Sequence, residues 1–508
     1  MVSGQKHIGS IKLILLLGVF NFVLSQQIFS QLAINPNGFI TVQSGGSLYV
    51  GTDLHIHSNS AGSGHLADQN INGDVDITGN VSIERYIQGN GWHNATSPVT
   101  GTNTSIYTGT DLTFYYDETK VLNDWNFGWV WYQGIMSPFK GYDVYLDGSA
   151  ITVDYTASNS SGLNTGAYSI AITRTDVANG ETENHKGWNL VGNPYPSPVS
   201  WLVSNGWDKS DINDAKYIWN PAADNYTIFL GGGSPIGING GTRYIPSNQG
   251  FWVQATTNGT FSINNTCRLG LMSSTPDYYK SGDFPYPLIS LIAEGNSLED
   301  ETVIRFIDGA TDKFDLNLDA VKLGSGSGKV PQISTHFQQL EYAVNSLSET
   351  RDNLVIPLDF RCATDGNYCI KLGERTNFLS LKKVFLFDKF TSKIIDLRRE
   401  EKYCFSHNAF NRKQRFAIVL NPTENKLLAL KTESSFLVYS ENNTLVVTAL
   451  TEENAYAQVL VLNLMGQTIL SKHLSAGSKR FSINSAAGYY VVRVISGTES
   501  FNKLVYIH

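Results

Sequence analysis

One block order occurs twice in this chain, and it restricts the fold more than any other feature. Gly91-Trp92 followed by Ser97-Pro98-Val99 returns as Gly187-Trp188 followed by Ser197-Pro198-Val199. The aromatic runs Phe114-Tyr115-Tyr116 and Tyr217-Ile218-Trp219 come next, then Gly141-Tyr142 and Gly250-Phe251, then the turns Asp147-Gly148 and Asn258-Gly259 with strands beginning at Ile151 and Phe261. An order kept through so many blocks points to a duplicated unit. Alternating apolar residues between Gly turns make that unit a β-structure, either two sandwich-like domains or two halves of one larger sandwich.

The same period-two pattern runs through the rest of the chain. Units of the form Gly-x-apolar-x-apolar recur at Gly46, Gly51, Gly73 and Gly79, as in a short β-solenoid or a meander. Helical periodicity is nearly absent. At 508 residues the chain exceeds what one core usually supports. The expected fold is all-β: a Gly-rich solenoid or meander at 26–84, a β repeat at 85–180, a second at 181–270, a further β-sandwich at 287–421 and an immunoglobulin-like sandwich at 436–508. Polar stretches at 271–286 and 422–435 read as linkers.

The first 25 residues read as a signal peptide. Lys6, His7 and Lys12 precede the apolar run Leu13 to Phe20, which Asn21 and Ser25 to Gln27 interrupt before the roughly 20 residues a membrane span needs. The expectation is an exported mature chain without a transmembrane anchor. Acidic side chains outnumber basic ones from Gln26 to Phe284, which argues against nucleic acid as a partner. Of the four cysteines, Cys369 has two possible partners. One is Cys362, across the turn Thr364-Asp365-Gly366-Asn367; the other is Cys404, in a strand-like run of its own.

The run from Val459 through Gly466 to Ile469, then Gly488-Tyr489-Tyr490-Val491-Val492-Arg493-Val494, then Lys503 to Ile507, resembles the C-terminal sorting domain of cargo exported by the type IX secretion system of Bacteroidetes. That resemblance implies Sec export, passage of the outer membrane guided by residues 436–508, and the secretion machinery and a sorting peptidase as partners, with Gly466, Gly488, Tyr489, Val492 and Lys503 in the sorting motif. Upstream blocks such as Ser82 to Ile87, Gly187 to Pro196 and Phe314 to Leu323 are similar to those of adhesin-like surface proteins of the same bacteria.

Candidate chemistry is sparse. Asp68, Asn70, Asn72, Gly73, Asp74 and Asp76 mimic the opening of a calcium loop, but the twelfth position is Gly79 where a bidentate Glu is needed. Asp53, His55 and His57 share one strand face without a fourth ligand from elsewhere. No cofactor is expected, calcium being the one alternative. Trp125, Trp129, Trp131, Tyr132, Trp201, Trp207, Trp219 and Trp252 offer sugar platforms or core. No nucleophile elbow or zincin motif occurs. The acidic runs Asp117-Glu118 and Glu299-Asp300-Glu301 read as solvated turns. The expected function is a non-catalytic, adhesin-like protein, secreted or displayed on the cell surface, with a surface glycan or protein as its ligand. The alternatives are a carbohydrate-binding protein and an unrecognised glycoside hydrolase or peptidase.

Overall fold

The computed structural model describes residues 31–507 apart from 108–111, 122–124, 176–182, 270–283, 338, 380, 410–412, 433–435, 442–443, 450–455, 475–477 and 497–498. Residues 1–25, read above as a signal peptide, and most of the stretch at 271–286, read as a linker, lie outside the described residues. What is described is nearly all strand.

The N-terminal segment is a parallel coil. Gln31–Ile34, Asp53–Ile56 and Val81–Ile87 stack in parallel, as do Phe39–Val42 with His65–Asp68 and Leu48–Val50 with Val75–Ile77. The solenoid reading therefore holds over the meander. Gly73 and Gly79, which look like successive repeats in sequence, lie within one turn of it; the true stacking partners are Leu32, Leu54 and Val81. Alternation sends Ile34, Leu54, Ile56 and Ile83 inward, where they share one core with Val144, Tyr155 and Leu163 of the first copy.

The two copies have one topology. In the first, Gly91–Ala95, Tyr142–Leu146, Thr113–Tyr116 and Trp129–Trp131 are neighbours in that order; in the second the order is Trp188–Gly192, Gly250–Ala255, Ile212–Asn220, Asn225–Leu230, with Ile236–Ile238 added at the edge. The registers coincide as well. Trp92 faces Tyr145 and Ala95 faces Tyr142, while Trp188 faces Gln254 and Val191 faces Phe251. The likeness runs past the blocks visible in sequence: Asn159 and Asn264 each cap a short 3-10 turn, after which Leu163 bridges Val99 and Arg268 bridges Val199. The strand Tyr168–Ile172 pairs with Gly259–Ile263, so it works with the second copy although it precedes residue 180.

The copies meet about a pseudo-twofold axis. Lys140 bridges Val191, and its counterpart Gln249 bridges Ala95, the counterpart of Val191. A glycine is needed at each crossing: a Cβ on Gly141 would lie 2.5 Å from the Val191 carbonyl oxygen, and one on Gly250 would lie 2.9 Å from the Ala95 nitrogen.

The segment from Leu288 to Leu420 forms one 11-stranded sheet. Its end strands, Lys393–Asp396 and Lys402–His407, place Ile395 and Phe405 in the same core as Leu291, Ile356 and Ile418, so the sheet curls almost to closure. Cys369 and Cys404 face each other across neighbouring strands and are disulfide-bonded. Cys362 does not pair. It points into the core side, with Tyr368, whereas alternation turns Cys369 outward; its thiol meets the Gly328 and Lys329 carbonyls and the Tyr368 hydroxyl instead.

The outer face of this sheet is not free. Val303, Ala320, Val321, Ala343 and Val344 pack on Trp188, Tyr217, Ile228 and Trp252 of the second copy in one core. Part of each acidic run is drawn into such junctions, while Glu299 stays exposed. Asp300 is fully buried, and Glu301 accepts from Ser290 Oγ and Asn239 N and pairs with Arg375. Glu118 is buried too, accepting from Thr175 N and Oγ and from Gly187 N. Glu118 opens a 3-10 turn and Asp300 and Glu301 lie on a strand, and in both places donors distant in sequence receive the carboxylates.

The stretch at 422–435 holds a helix, Glu424–Thr432, whose Leu430 packs on Phe387 and Val419. Beyond it, residues Phe436 to Ile507 form a seven-stranded sandwich of a three-stranded and a four-stranded sheet with a core of its own. Within it Val492 is fully buried opposite Lys503, Gly466 holds a turn at φ +82°, and Tyr489 stacks edge-on against Tyr506 beside Gly488.

Candidate functional site

The duplicated sheets use the same face for different ends. In the second copy, Trp188, Leu190 and Trp252 are buried beneath the curled sheet. Register equates them with Trp92, Asn94 and Asp143 of the first copy. There the curled sheet does not cover them, and Trp92 is 36% exposed. They floor a cleft of about 330 Å³ lined also by Phe114 and Trp129 of the first copy, Trp219 and Tyr226 of the second, and Gly326 from the curled sheet. Where the buried copy has Leu190 and Trp252, the open one has a hydrogen-bonded amide and carboxyl.

The aromatic walls are fixed by one another. Trp92 meets Phe114 edge-on at 5.7 Å between centroids and Tyr145 at 5.1 Å. Trp129 stands against Tyr116 and Trp252, and Trp219 against Tyr226 at 5.1 Å. Edge-to-face packing leaves ring faces available to a flat apolar partner. Polar groups are few and placed: Asn94 Nδ2 donates to Asp143 Oδ1 at 2.8 Å, while Asn94 Oδ1 and Trp219 Nε1 are buried without a hydrogen-bond partner. Apolar walls with a few fixed polar groups are what a small-molecule site needs.

Asp143 is the cleft's one carboxyl among the described lining residues. Desolvation raises its pKa from 3.8 to about 7, against the opposing hydrogen bond from Asn94. The sign of the linkage follows. The folded state holds the proton more tightly than the unfolded chain, so this carboxyl's contribution to stability is fully present below pH 3.8 and is lost as pH rises to about 7. Asp143→Asn is expected to remove that loss, raising the denaturation midpoint at pH 8 by the equivalent of about 2–4 kcal/mol. Matched denaturation curves at pH 4 and 8 check this; an unchanged pH dependence in the variant refutes it.

The residues singled out from sequence are scattered. Trp201, Trp207 and Trp252 are core; Trp129 and Trp219 line the cleft; Trp131 is 54% exposed; Tyr132 donates to the Ile135 carbonyl; the Trp125 side chain lies outside the described residues. In the calcium-like loop, Asp68 accepts from Asn70 N, Asn70 Nδ2 and Asp74 N, and Asn70 Oδ1 accepts from Gly45 N. Those oxygens hold the coil's own turns. Asn72 and Asp74 are exposed, and Asp76 accepts from Ser160 Oγ. His57 pairs with Glu84, and Asp53 accepts from Asn80 N. Among the described residues no group of three or more His, Cys, Asp or Glu could hold a metal ion, and no helix is long and apolar enough to cross a membrane. Sequence reading passed over Trp92, Asn94 and Asp143 as binding residues. The break in the duplication, Asn94 and Asp143 standing where Leu190 and Trp252 stand, was the signal available.

A family model described as Domain of unknown function (DUF8693) matches residues 19–420. No curated protein matches the chain. Among solved structures, one titled Biofilm associated protein - BSP domain is 10% identical over 68% of this chain and 81% of that chain, with a TM-score of 0.13. At that TM-score the likeness carries no argument.

Proposed function

The chain belongs to this family of domains of unknown function, and from that premise we propose an exported, adhesin-like surface protein whose head, residues 26–421, binds carbohydrate in the cleft between its two copies. One observation carries the reading. A sheet face that is sealed with apolar side chains in one copy is open in the other, and there it combines aromatic ring faces with an amide and a carboxyl. Sugar rings offer that combination of apolar faces and hydroxyl edges.

Binding rather than cleavage is supported by the carboxyl count. Glycoside hydrolysis ordinarily takes two carboxyl groups flanking the bond, and the described cleft residues provide Asp143 alone. The buried pair Glu341 and Asp359 lies elsewhere, with Glu341 neutralised by Arg361 and Lys413. The secretion route remains part of the proposal: residues 436–508 form a separate sandwich after the family match ends, as a detachable address requires.

Glycan-array binding of the purified chain tests the reading. Trp129→Ala and Trp219→Ala are each expected to weaken retention of the bound glycan tenfold or more, about 1.4 kcal/mol. Tyr49→Ala, on the exposed coil, should bind as the unaltered chain does. Equal binding by all three variants would overturn the assignment, and so would cleavage of the glycan abolished by Asp143→Asn.

A further inference from the structure

Arg85 poses a problem that folding alone does not solve. It lies on the strand Val81–Ile87 between Ile83 and Ile87, on the side of the strand that faces the core of the coil and first copy. Its Nη1 donates to Ser63 Oγ at 3.2 Å, and no carboxylate pairs with it among the described residues. Desolvation draws its pKa down. A guanidinium so placed without a counter-charge is a cost to the fold. Ser63 does not depend on it, because Ser63 Oγ is 2.7 Å from Ser58 Oγ.

The guanidinium lines a second recess of about 160 Å³ beside the aromatic cleft, and Asn94 and Trp219 belong to the walls of both. This recess carries several unpartnered donors beside one unpartnered acceptor, Asn94 Oδ1. Asn248, 4% exposed, lines it with an Nδ2 that has no partner at hydrogen-bond distance, and Trp219 Nε1 is likewise unpartnered. His93 Nε2 is a further buried atom without a partner. No Asp or Glu is among its lining residues. A cation, an amide N–H₂ and an indole N–H converging on one recess match an anionic group.

Resting on the carbohydrate reading, we propose that cleft and recess are one site for an acidic saccharide, its pyranose ring against the aromatic walls and its ring carboxylate on Arg85. The planar guanidinium suits a carboxylate, which it engages through two parallel N–H donors. Asp143 fits this arrangement: a carboxyl that keeps its proton to about pH 7 does not repel an anionic ligand next to it. Uronic and sialic acids share the ring carboxylate, so both are probes.

The test is titration calorimetry on the full chain at pH 6, comparing trigalacturonate with galactotriose and sialyllactose with lactose. At least one acidic probe should bind tenfold or more tightly than its neutral counterpart, with the advantage shrinking as salt is added. Arg85→Met should erase that advantage and leave neutral binding unchanged, and its Tm should equal or exceed that of the unaltered chain, since an uncompensated charge has been removed. Arg85→Lys should retain part of the advantage. Equal affinity for acidic and neutral probes, no binding of either acidic probe, or an undiminished preference in Arg85→Met overturns the inference. If Trp129→Ala and Trp219→Ala abolish neutral binding while Arg85→Met changes nothing, the carbohydrate reading stands and the acidic subsite falls.

Discussion

Replacing Asp300 by Ala is expected to destabilise the head by about 3–5 kcal/mol, the largest loss from any single exposed-looking acid in the sequence. The carboxylate is fully buried where the second copy meets the curled sheet. It accepts from Asn225 Nδ2 and Asn239 Nδ2 on one side, each at 2.9 Å, and from Lys322 Nζ at 2.5 Å and Ile333 N at 2.8 Å on the other. Removing it strands a buried ammonium and leaves donors from both bodies without an acceptor. Lys322→Met should cost less, because Asp300 would still hold three donors. The order of urea midpoints, unaltered chain above Lys322→Met above Asp300→Ala, checks the argument. A midpoint for Asp300→Ala within about 1 kcal/mol of the unaltered chain would show that the junction does not depend on this pin.

Deleting residues 436–508 is expected to abolish appearance at the cell surface almost completely while leaving the Tm of the head unchanged. The second half of that expectation comes from packing: every residue of the C-terminal core, from Phe436 to Ile507, belongs to the sandwich itself. The first half rests on the proposed role of the sandwich as a sorting domain. Cell fractionation with protease shaving measures it. Truncated protein found outside the cell in undiminished amount removes the sorting role; periplasmic protein that is retained but unfolded contradicts the independence of the two units.

Sequence and structure diverge where partners come from far along the chain. The period-two alternation, the coil and the duplication were legible because each is a local or repeated pattern, and the register of Trp92 with Trp188 follows from block order alone. Cys362 looked as eligible as Cys404 because spacing says nothing of which face a side chain takes; Cys369 meets Cys404 only because their strands are neighbours in the sheet. Asp300 and Glu118 read as solvated because their donors, Asn225 and Thr175 among them, lie 75 and 57 residues away. The cleft was hidden for the same reason. Trp92 and Trp219 have no visible relation until the two copies close on each other, and neither Asn94 nor Asp143 forms a motif by itself. The curled sheet, read as a sandwich, was misjudged only in closure, since alternation does not report how far a sheet bends.

Under the proposed function the head would bear tension whenever its ligand is pulled, and the shared cores decide how that tension travels. Coil and first copy are fused through one apolar core, and the second copy and curled sheet through another. Tyr116 and Val121 of the first copy also belong to the second of these cores, so a tug on the cleft is handed on across the copies instead of being spent on opening a hinge. It leaves the head along Phe416–Leu420, a strand bonded to Leu354–Arg361 on one side and Val384–Asp388 on the other. Its ladder bonds run across the direction of pull, so they are loaded together in shear rather than one after another in peeling. The chain thus leaves the head from a strand moored on both sides.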